Sequence, residues 1–185
     1  RCRPRRAHRP DEHADAPPLL PAGAAEALPR RRDGARIARA HDGIERADVD
    51  TLKGTGSRLR IGSAFSRRDL LHLALMSSEN RAASALGRNY PGGLEAFVAK
   101  MNAKAVDLGM RNSRFVEPTG LSSENVSTAD DLALMVRASL AYPLIRDFST
   151  APSAQIYTAD TGHVFGFSNS NGLVRTSAWQ IDVSK

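Results

Sequence analysis

The stretch LLHLALMSSENRAASALGR, residues 70–88, decides how this chain is read. Leu70, Leu71, Leu73, Ala74, Leu75 and Met76 form an apolar run free of proline and glycine, which suits a helix buried on most sides better than one on a surface. Just ahead of it, Ser66-Arg67-Arg68-Asp69 has the spacing of a capping box: a hydroxyl to accept an early amide, and an acid three residues on. A helix is therefore expected over 66–77. Ser78-Glu79-Asn80 interrupts the apolar pattern, and a second helix is expected over 79–86, with Gly87 as its stop. The polar step thus stands at a junction of two helices, beside a packed core. Taken alone, a serine and an asparagine in that position serve as caps or turn formers.

Outward from this junction the pattern stays helical. Leu94, Phe97, Val98, Met101, Ala105 and Leu108 recur at helical spacing over 93–108, and Gly109 follows as a C-terminal stop. Residues 112–120 read as an extended segment and turn, with Phe115 and Val116 buried. Ser127-Thr128-Ala129-Asp130 repeats the capping pattern and opens a helix to Leu140, ended by Tyr142-Pro143 because the residue before proline is pushed out of the helical region. A short helix over 144–148 follows. The texture then changes: 155–157, 164–167 and 179–183 are short, β-branched or aromatic segments separated by polar turns, and read as strands. Trp179 is expected as a core or sheet residue.

Upstream the chain is of another kind. Residues 1–43 consist almost wholly of Arg, Ala, Pro, Asp, His, Gly, Leu and Glu, and six of the ten prolines fall before residue 30, so long helices are interrupted there. A disordered Arg/Ala/Pro-rich tail is expected over 1–43 and a folded domain over 44–185. The net charge of +6 is concentrated in this tail: residues 1–46 hold eleven arginines and no lysine against seven acids. Clustered arginine attracts phosphate. No aromatic residue precedes Phe65, so the basic segment has no stacking platform for bases, and nucleic acid is not the expected partner.

Several chemistries are excluded by motif. Cys2 is the only cysteine, so no internal disulfide and no cysteine zinc cluster can form. No apolar run of about 18 residues spans a membrane, and no signal-peptide apolar region is present. No G-x-S-x-G elbow, H-E-x-x-H, C-x-x-C, G-x-x-x-x-G-K-[ST] or G-x-G-x-x-G occurs. Gly54-Thr55-Gly56 reads as a turn, and His72, amid leucines, as a packed or partly exposed helix residue. No cofactor or metal is expected.

Four longer stretches carry a resemblance: ADVDTLKGTGSRL (47–59), SRRDLLHLALMSSENRAASALGR (66–88), FVEPTGLSSENVSTADDLALM (115–135) and WQIDVSK (179–185). With them, residues 47–185 resemble the D-alanyl-D-alanine carboxypeptidase family of low-molecular-weight penicillin-binding proteins, particularly its DD-endopeptidase branch. Such serine peptidases use three elements, Ser-x-x-Lys, Ser-x-Asn and Lys-Thr-Gly. Ser78-Glu79-Asn80 matches the second and Ser184-Lys185 the beginning of the third. The first is missing: three residues before Lys53, Lys100, Lys104 and Lys185 stand Asp50, Phe97, Met101 and Asp182, none of them serine.

The resemblance implies the α/β fold of serine β-lactamases and DD-peptidases, an antiparallel sheet packed with helices and a mostly helical lobe. This chain is expected to form part of it, the lobe followed by short antiparallel strands, truncated at both ends. The composition of 1–43 suits a GC-rich gene read in a shifted frame. By the same resemblance Ser78 relays a proton toward the leaving group, Asn80 bonds the substrate backbone, and Lys185 supplies the cation of Lys-Thr-Gly. A serine hydroxyl needs a neighbouring base to become a nucleophile, and a fixed cation stabilises developing negative charge. The implied function is a serine-type D-Ala-D-Ala carboxypeptidase or DD-endopeptidase on peptidoglycan stem peptides, with β-lactams as ligands of the intact family, in the periplasm or otherwise outside the cytoplasm. Without the Ser-x-x-Lys serine no acyl-enzyme is expected from this chain. The alternative is a non-catalytic binding module for peptidoglycan peptides or, through the arginine tail, for anionic polymers. A partial fold is also expected to leave apolar faces without partners and to be marginally stable.

Overall fold

The computed structural model describes residues 41–184. Strand β1 (His41–Gly43) pairs antiparallel with β2 (Ala64–Ser66), His41 opposite Ser66 and Gly43 opposite Ala64. From β2 the chain enters helix α1 (Arg67–Ser77), followed by α2 (Asn80–Arg88) and α3 (Gly93–Asp107). An irregular stretch carrying one isolated bridge, Arg114 to Val126, leads to α4 (Ala129–Ser139) and α5 (Pro143–Ser149). Strands β3 (Ser153–Tyr157) and β4 (Val164–Ser168) form a second antiparallel pair, and a single helical turn, α6 (Leu173–Thr176), comes after them. The α/β architecture, a helical lobe followed by short antiparallel strands, is the one expected.

Local chemistry accounts for most boundaries. The Ser66 hydroxyl accepts the Asp69 amide at 3.0 Å and starts α1. Thr128, one residue later than the spacing predicts, caps α4 by accepting the Asp131 amide at 3.2 Å. Pro143 occupies the first turn of α5, where no backbone donor is needed. Gly109, at φ +79°, follows the end of α3 in the left-handed region.

Four expectations need correction. Gly87 does not stop α2, which runs on to Arg88. A Cβ there would lie 3.0 Å from Pro118, 3.1 Å from Phe97 and 3.2 Å from Leu94, so this glycine serves close packing inside a helix. Residues 179–183 form no strand, and Trp179 is 86% exposed, not a core residue. A strand needs a hydrogen-bonded neighbour, and none lies beside this segment among the described residues. Phe115 and Val116 are half-buried rather than buried. Finally, His41–Gly43 form strand β1, inside the segment expected to be a tail. Residues 1–40 and Lys185 lie outside the described residues, and with them most of that tail, Cys2 and the cation of the third motif.

Ionic anchoring explains why β1 belongs to the fold. Asp42, 4% exposed, accepts from both Nε and Nη2 of Arg67, each at 2.8 Å, in a two-pronged pair. Three residues past β1's end, the turn Arg46–Asp48 places the buried Asp48 carboxylate against Arg88 Nη2 (2.9 Å), the Ser84 hydroxyl (2.8 Å) and the Glu45 amide (2.8 Å). The core that this clamp closes over contains Ile44, Leu59, Phe65, Leu70, Leu73, Met76, Ala82, Ala85, Ile156 and Phe167. It lies between α1–α2 and the two strand pairs. The end of β4 and the loop through Thr55 thereby meet the C-terminal end of α1, where Ser78 and Asn80 stand.

Candidate active-site groove

Helix α1 ends in an unusual backbone. Ser78 has φ 53° and ψ 41°, and it is the only non-glycine residue at positive φ among those described. Left-handed backbone carries a strain of about 1–3 kcal/mol for a residue with a Cβ and persists only where its surroundings enforce it. Here the surroundings are the next helix start and the end of β4. Glu79, 8% exposed, accepts the Arg81 and Ala82 amides at 2.9 and 3.2 Å and so opens α2 immediately after the kink. On the other side, the Ser77 hydroxyl donates to the Ser168 carbonyl at 3.1 Å, and the Ser170 amide donates to the Met76 carbonyl at 2.9 Å.

The result is a groove of about 690 Å³ whose walls include Ser57, Arg58, Ser78, Asn80, Phe167 and Ser170. Both expected site residues within the described chain, Ser78 and Asn80, line it. The Ser78 and Ser170 hydroxyls are 3.3 Å apart, either able to donate, which makes a hydroxyl pair through which a proton can pass. Gly56 and Gly166 leave bare backbone in the walls, with nothing within 4 Å of where a Cβ would be. Ser184, beside Lys185, is 5% exposed, with its amide donating to the Ser149 hydroxyl at 3.2 Å and its hydroxyl accepting from Asn171 Nδ2 at 2.9 Å. Asn171 in turn follows Ser170, so the last described residue is tied to the segment that forms the groove wall.

Asn80 is oriented by the central residue of the Gly54-Thr55-Gly56 turn. Its Nδ2 donates to Thr55 Oγ1 at 3.1 Å. Thr55 is itself held by Asp50, whose carboxylate accepts the amides of Leu52 (2.7 Å), Lys53 (3.0 Å) and Thr55 (2.7 Å). The Thr55 amide, then the Lys53 amide, hold that carboxyl well below the usual carboxylate range. A rigid Asx-type loop thus fixes the side chain facing the groove. Thr55, Arg58 and Ser170 were missed in the sequence because they come from a loop and from the far end of a strand pair. The one available signal was Gly54-Thr55-Gly56, a turn whose placement against Asn80 is a tertiary fact. Among the described residues no cluster of three His, Cys, Asp or Glu residues could hold a metal.

The groove lies between a helix end and a strand end with Ser-x-Asn in its wall, and the fold around it is that of the penicillin-binding proteins and DD-peptidases. Residues 44–185 match the peptidase S11 family, D-alanyl-D-alanine carboxypeptidase, and the chain belongs to that family. It is 51% identical over 139 residues to a D-alanyl-D-alanine endopeptidase of Pseudomonas aeruginosa, covering 75% of this chain and 45% of that protein. It is 49% identical over 142 residues to the Escherichia coli D-alanyl-D-alanine endopeptidase, covering 77% and 46%. The chain therefore spans about half the length of these relatives. Among solved structures, the Streptomyces K15 DD-transpeptidase superposes with a TM-score of 0.65 at 25% identity, over 75% of this chain and 58% of that one. The D-alanyl-D-alanine carboxypeptidase from Mycobacterium tuberculosis H37Rv gives 0.63 at 28% identity, over 76% and 53%.

Proposed function

We propose that residues 44–185 are part of a DD-peptidase catalytic domain and form one side of a groove that binds D-Ala-D-Ala-terminated stem peptides of peptidoglycan. The observation that carries this reading is the convergence of Ser78, Asn80 and Ser170 on one hydroxyl-lined groove, with Ser78 held in left-handed backbone. The Asn80 amide, fixed by Thr55, bonds the peptide backbone. The Ser78 hydroxyl, paired with Ser170, relays a proton toward the departing amine. Lys185 supplies positive charge to the same network, as the lysine of Lys-Thr-Gly does in the family it resembles.

These are supporting parts of an acyl-transfer site. Its nucleophile and that serine's base, the Ser-x-x-Lys pair, do not occur within the 185 residues. The chain on its own is thus a binder that does not acylate. Stem peptides lie outside the cytoplasmic membrane, so the site of action is extracytoplasmic. None of the described helices is long and apolar enough to cross a membrane. The eleven arginines within residues 1–46 support a second reading, attachment to anionic polymers, which must weaken steeply with salt.

Incubation of the 185-residue chain with a fluorescent penicillin, followed by intact mass measurement, tests the acylation claim. No covalent adduct is expected, whereas an adduct identifies a serine in this chain as nucleophile and overturns it. Titration with a D-Ala-D-Ala peptide tests the groove. Binding that is lost in Asn80→Ala and persists at high salt supports it, and its absence overturns it.

A further inference from the structure

Arg58 is the groove wall's one exposed charge. Its guanidinium carbon lies 4.0 Å over the centroid of the Phe167 ring. Phe167 is 6% exposed and sits in β4 opposite Ala154, so the platform under the cation is part of the core. Stacking fixes the plane of a guanidinium while leaving its N–H edges open for in-plane partners. Elsewhere in this molecule arginines use those edges on carboxylates: Arg67 on Asp42 and Arg88 on Asp48. Arg58 does not. Among the described residues no carboxylate stands within ion-pair distance of it.

The groove holds a single carboxylate besides, that of Glu79, and it is engaged with the amides that open α2. The remaining polar residues that line the groove are Ser57, Ser77, Ser78, Asn80, Ser168 and Ser170, none of them an acid. A planar cation on an aromatic platform, in a wall of hydroxyls with no acid to neutralise it, has the donor set that recognises a carboxylate in two-pronged geometry. We infer that Arg58 is a specificity residue that binds a carboxylate of the peptide in the groove. This rests on the peptide-binding reading above and adds to it the residue that selects a carboxylate of the ligand. The carboxylate comes either from the peptide's C-terminus or from an acidic side chain upstream of it.

Four D-Ala-D-Ala peptides, with the C-terminus as acid or amide and one upstream side chain as acid or amide, distinguish the two sources. Each is titrated into the 15N-labelled full chain, as wild type, Arg58→Gln, Arg58→Lys and Asn80→Ala, with the Arg58 Nε–H resonance followed. For wild type, the acid at one of the two positions is expected to tighten binding by about fivefold over its amide twin, the gain of a charge-assisted bond at an exposed site. The Arg58 resonance moves only with the two peptides that carry the acid at that position. Arg58→Gln abolishes the difference while still binding all four peptides, and Arg58→Lys keeps part of it. Equal binding of all four by wild type, or a preference that survives Arg58→Gln, overturns the role of Arg58 while leaving the groove reading intact. Failure of every peptide to bind, or binding indifferent to Asn80→Ala, overturns both.

Discussion

Helices α1 and α4 are each eleven residues long, each capped by a hydroxyl that accepts an aspartate amide, and each rich in leucine. Their fates differ. In α1, Leu70, Leu73 and Met76 are completely buried, and the helix packs against α2, α5, β2 and β4. In α4, Leu132, Leu134, Met135 and Val136 stay 37–47% exposed, and the one buried residue is Asp131. Its carboxylate accepts the Asn112 amide at 2.8 Å and the Ser113 hydroxyl at 2.7 Å, so α4 is moored by a polar knot. Caps and composition make a helix, whereas burial depends on what stands opposite it. One half of the molecule is held by apolar packing and the other by polar tethers, and the two should respond differently to substitution.

The largest contrast is expected from truncating leucines. Leu73→Ala leaves a cavity among fully buried neighbours and should cost about 2–5 kcal/mol, enough to remove the cooperative urea transition of a marginal domain. Leu134→Ala should cost less than about 1 kcal/mol, since that side chain is already 37% exposed. Equal losses would mean that α4 is buried in solution and that the contrast is wrong.

Ion pairs give the next step down. Asp48→Ala strips Arg88, Ser84 and the Glu45 amide of a shared acceptor whose side chain is wholly buried, at an expected cost of about 2–4 kcal/mol. Glu124→Gln breaks a 3.7 Å pair with Arg114 in which both side chains are more than 60% exposed, and should change stability by less than about 0.5 kcal/mol. Urea melts of the two variants side by side measure the ratio.

How much of this was readable in advance follows the same division. The α1 start at Ser66, the α3 stop before Gly109 and the break at Tyr142-Pro143 are local signals, and local signals are written in adjacent residues. So was the Ser78–Asn80 junction. Gly87 was misread because the same residue that ends helices also permits close approach, and only Pro118, Phe97 and Leu94 at its surface decide between the two. Strand β1 was missed because three residues are too few for a period, and what holds it is Arg67, 25 residues away from Asp42. In the groove, Ser170 is 92 residues from Ser78, and no spacing rule connects them.

Acid should separate the halves further. Burial against α5, where the His72 ring stacks 4.3 Å from Phe148, pushes the imidazole below its usual 6.5, with Asp69 opposing and Arg68 reinforcing the shift. A histidine with a depressed folded value binds fewer protons folded than unfolded. Stability from this source is therefore complete above about pH 6.5 and is lost as pH falls through the lower folded value. Glu117, in the loop before α4, behaves as a lowered carboxylate: burial pushes it up, but hydrogen bonds from the Thr119 side chain and from loop amides outweigh that. Its contribution is complete above 4.5 and fades at lower pH. Melting temperature should thus drop in two steps on acidification. His72→Gln is expected to remove the first step alone, and persistence of that step would assign it elsewhere.

The smallest expected effect is the one closest to the groove. Asp50 is only half-buried, yet three amides hold its carboxyl in the charged form, and the loop it organises carries Thr55 to Asn80. Because the folded value is depressed, loop order should be insensitive to pH from neutrality down to about the ordinary carboxylate value of 3.8. Asp50→Ala removes the three acceptor contacts and touches no core residue, so the urea midpoint should fall less than in Asp48→Ala. The Thr55 amide and the Asn80 side-chain amide resonances should both shift, and peptide affinity should fall by less than in Asn80→Ala. If the Asn80 resonance does not move, Thr55 holds its position without Asp50. The polar tether at the groove is then the Asn80 to Thr55 bond alone, and the loop is backed by the Leu59 packing beneath it, as α1 is by Leu73.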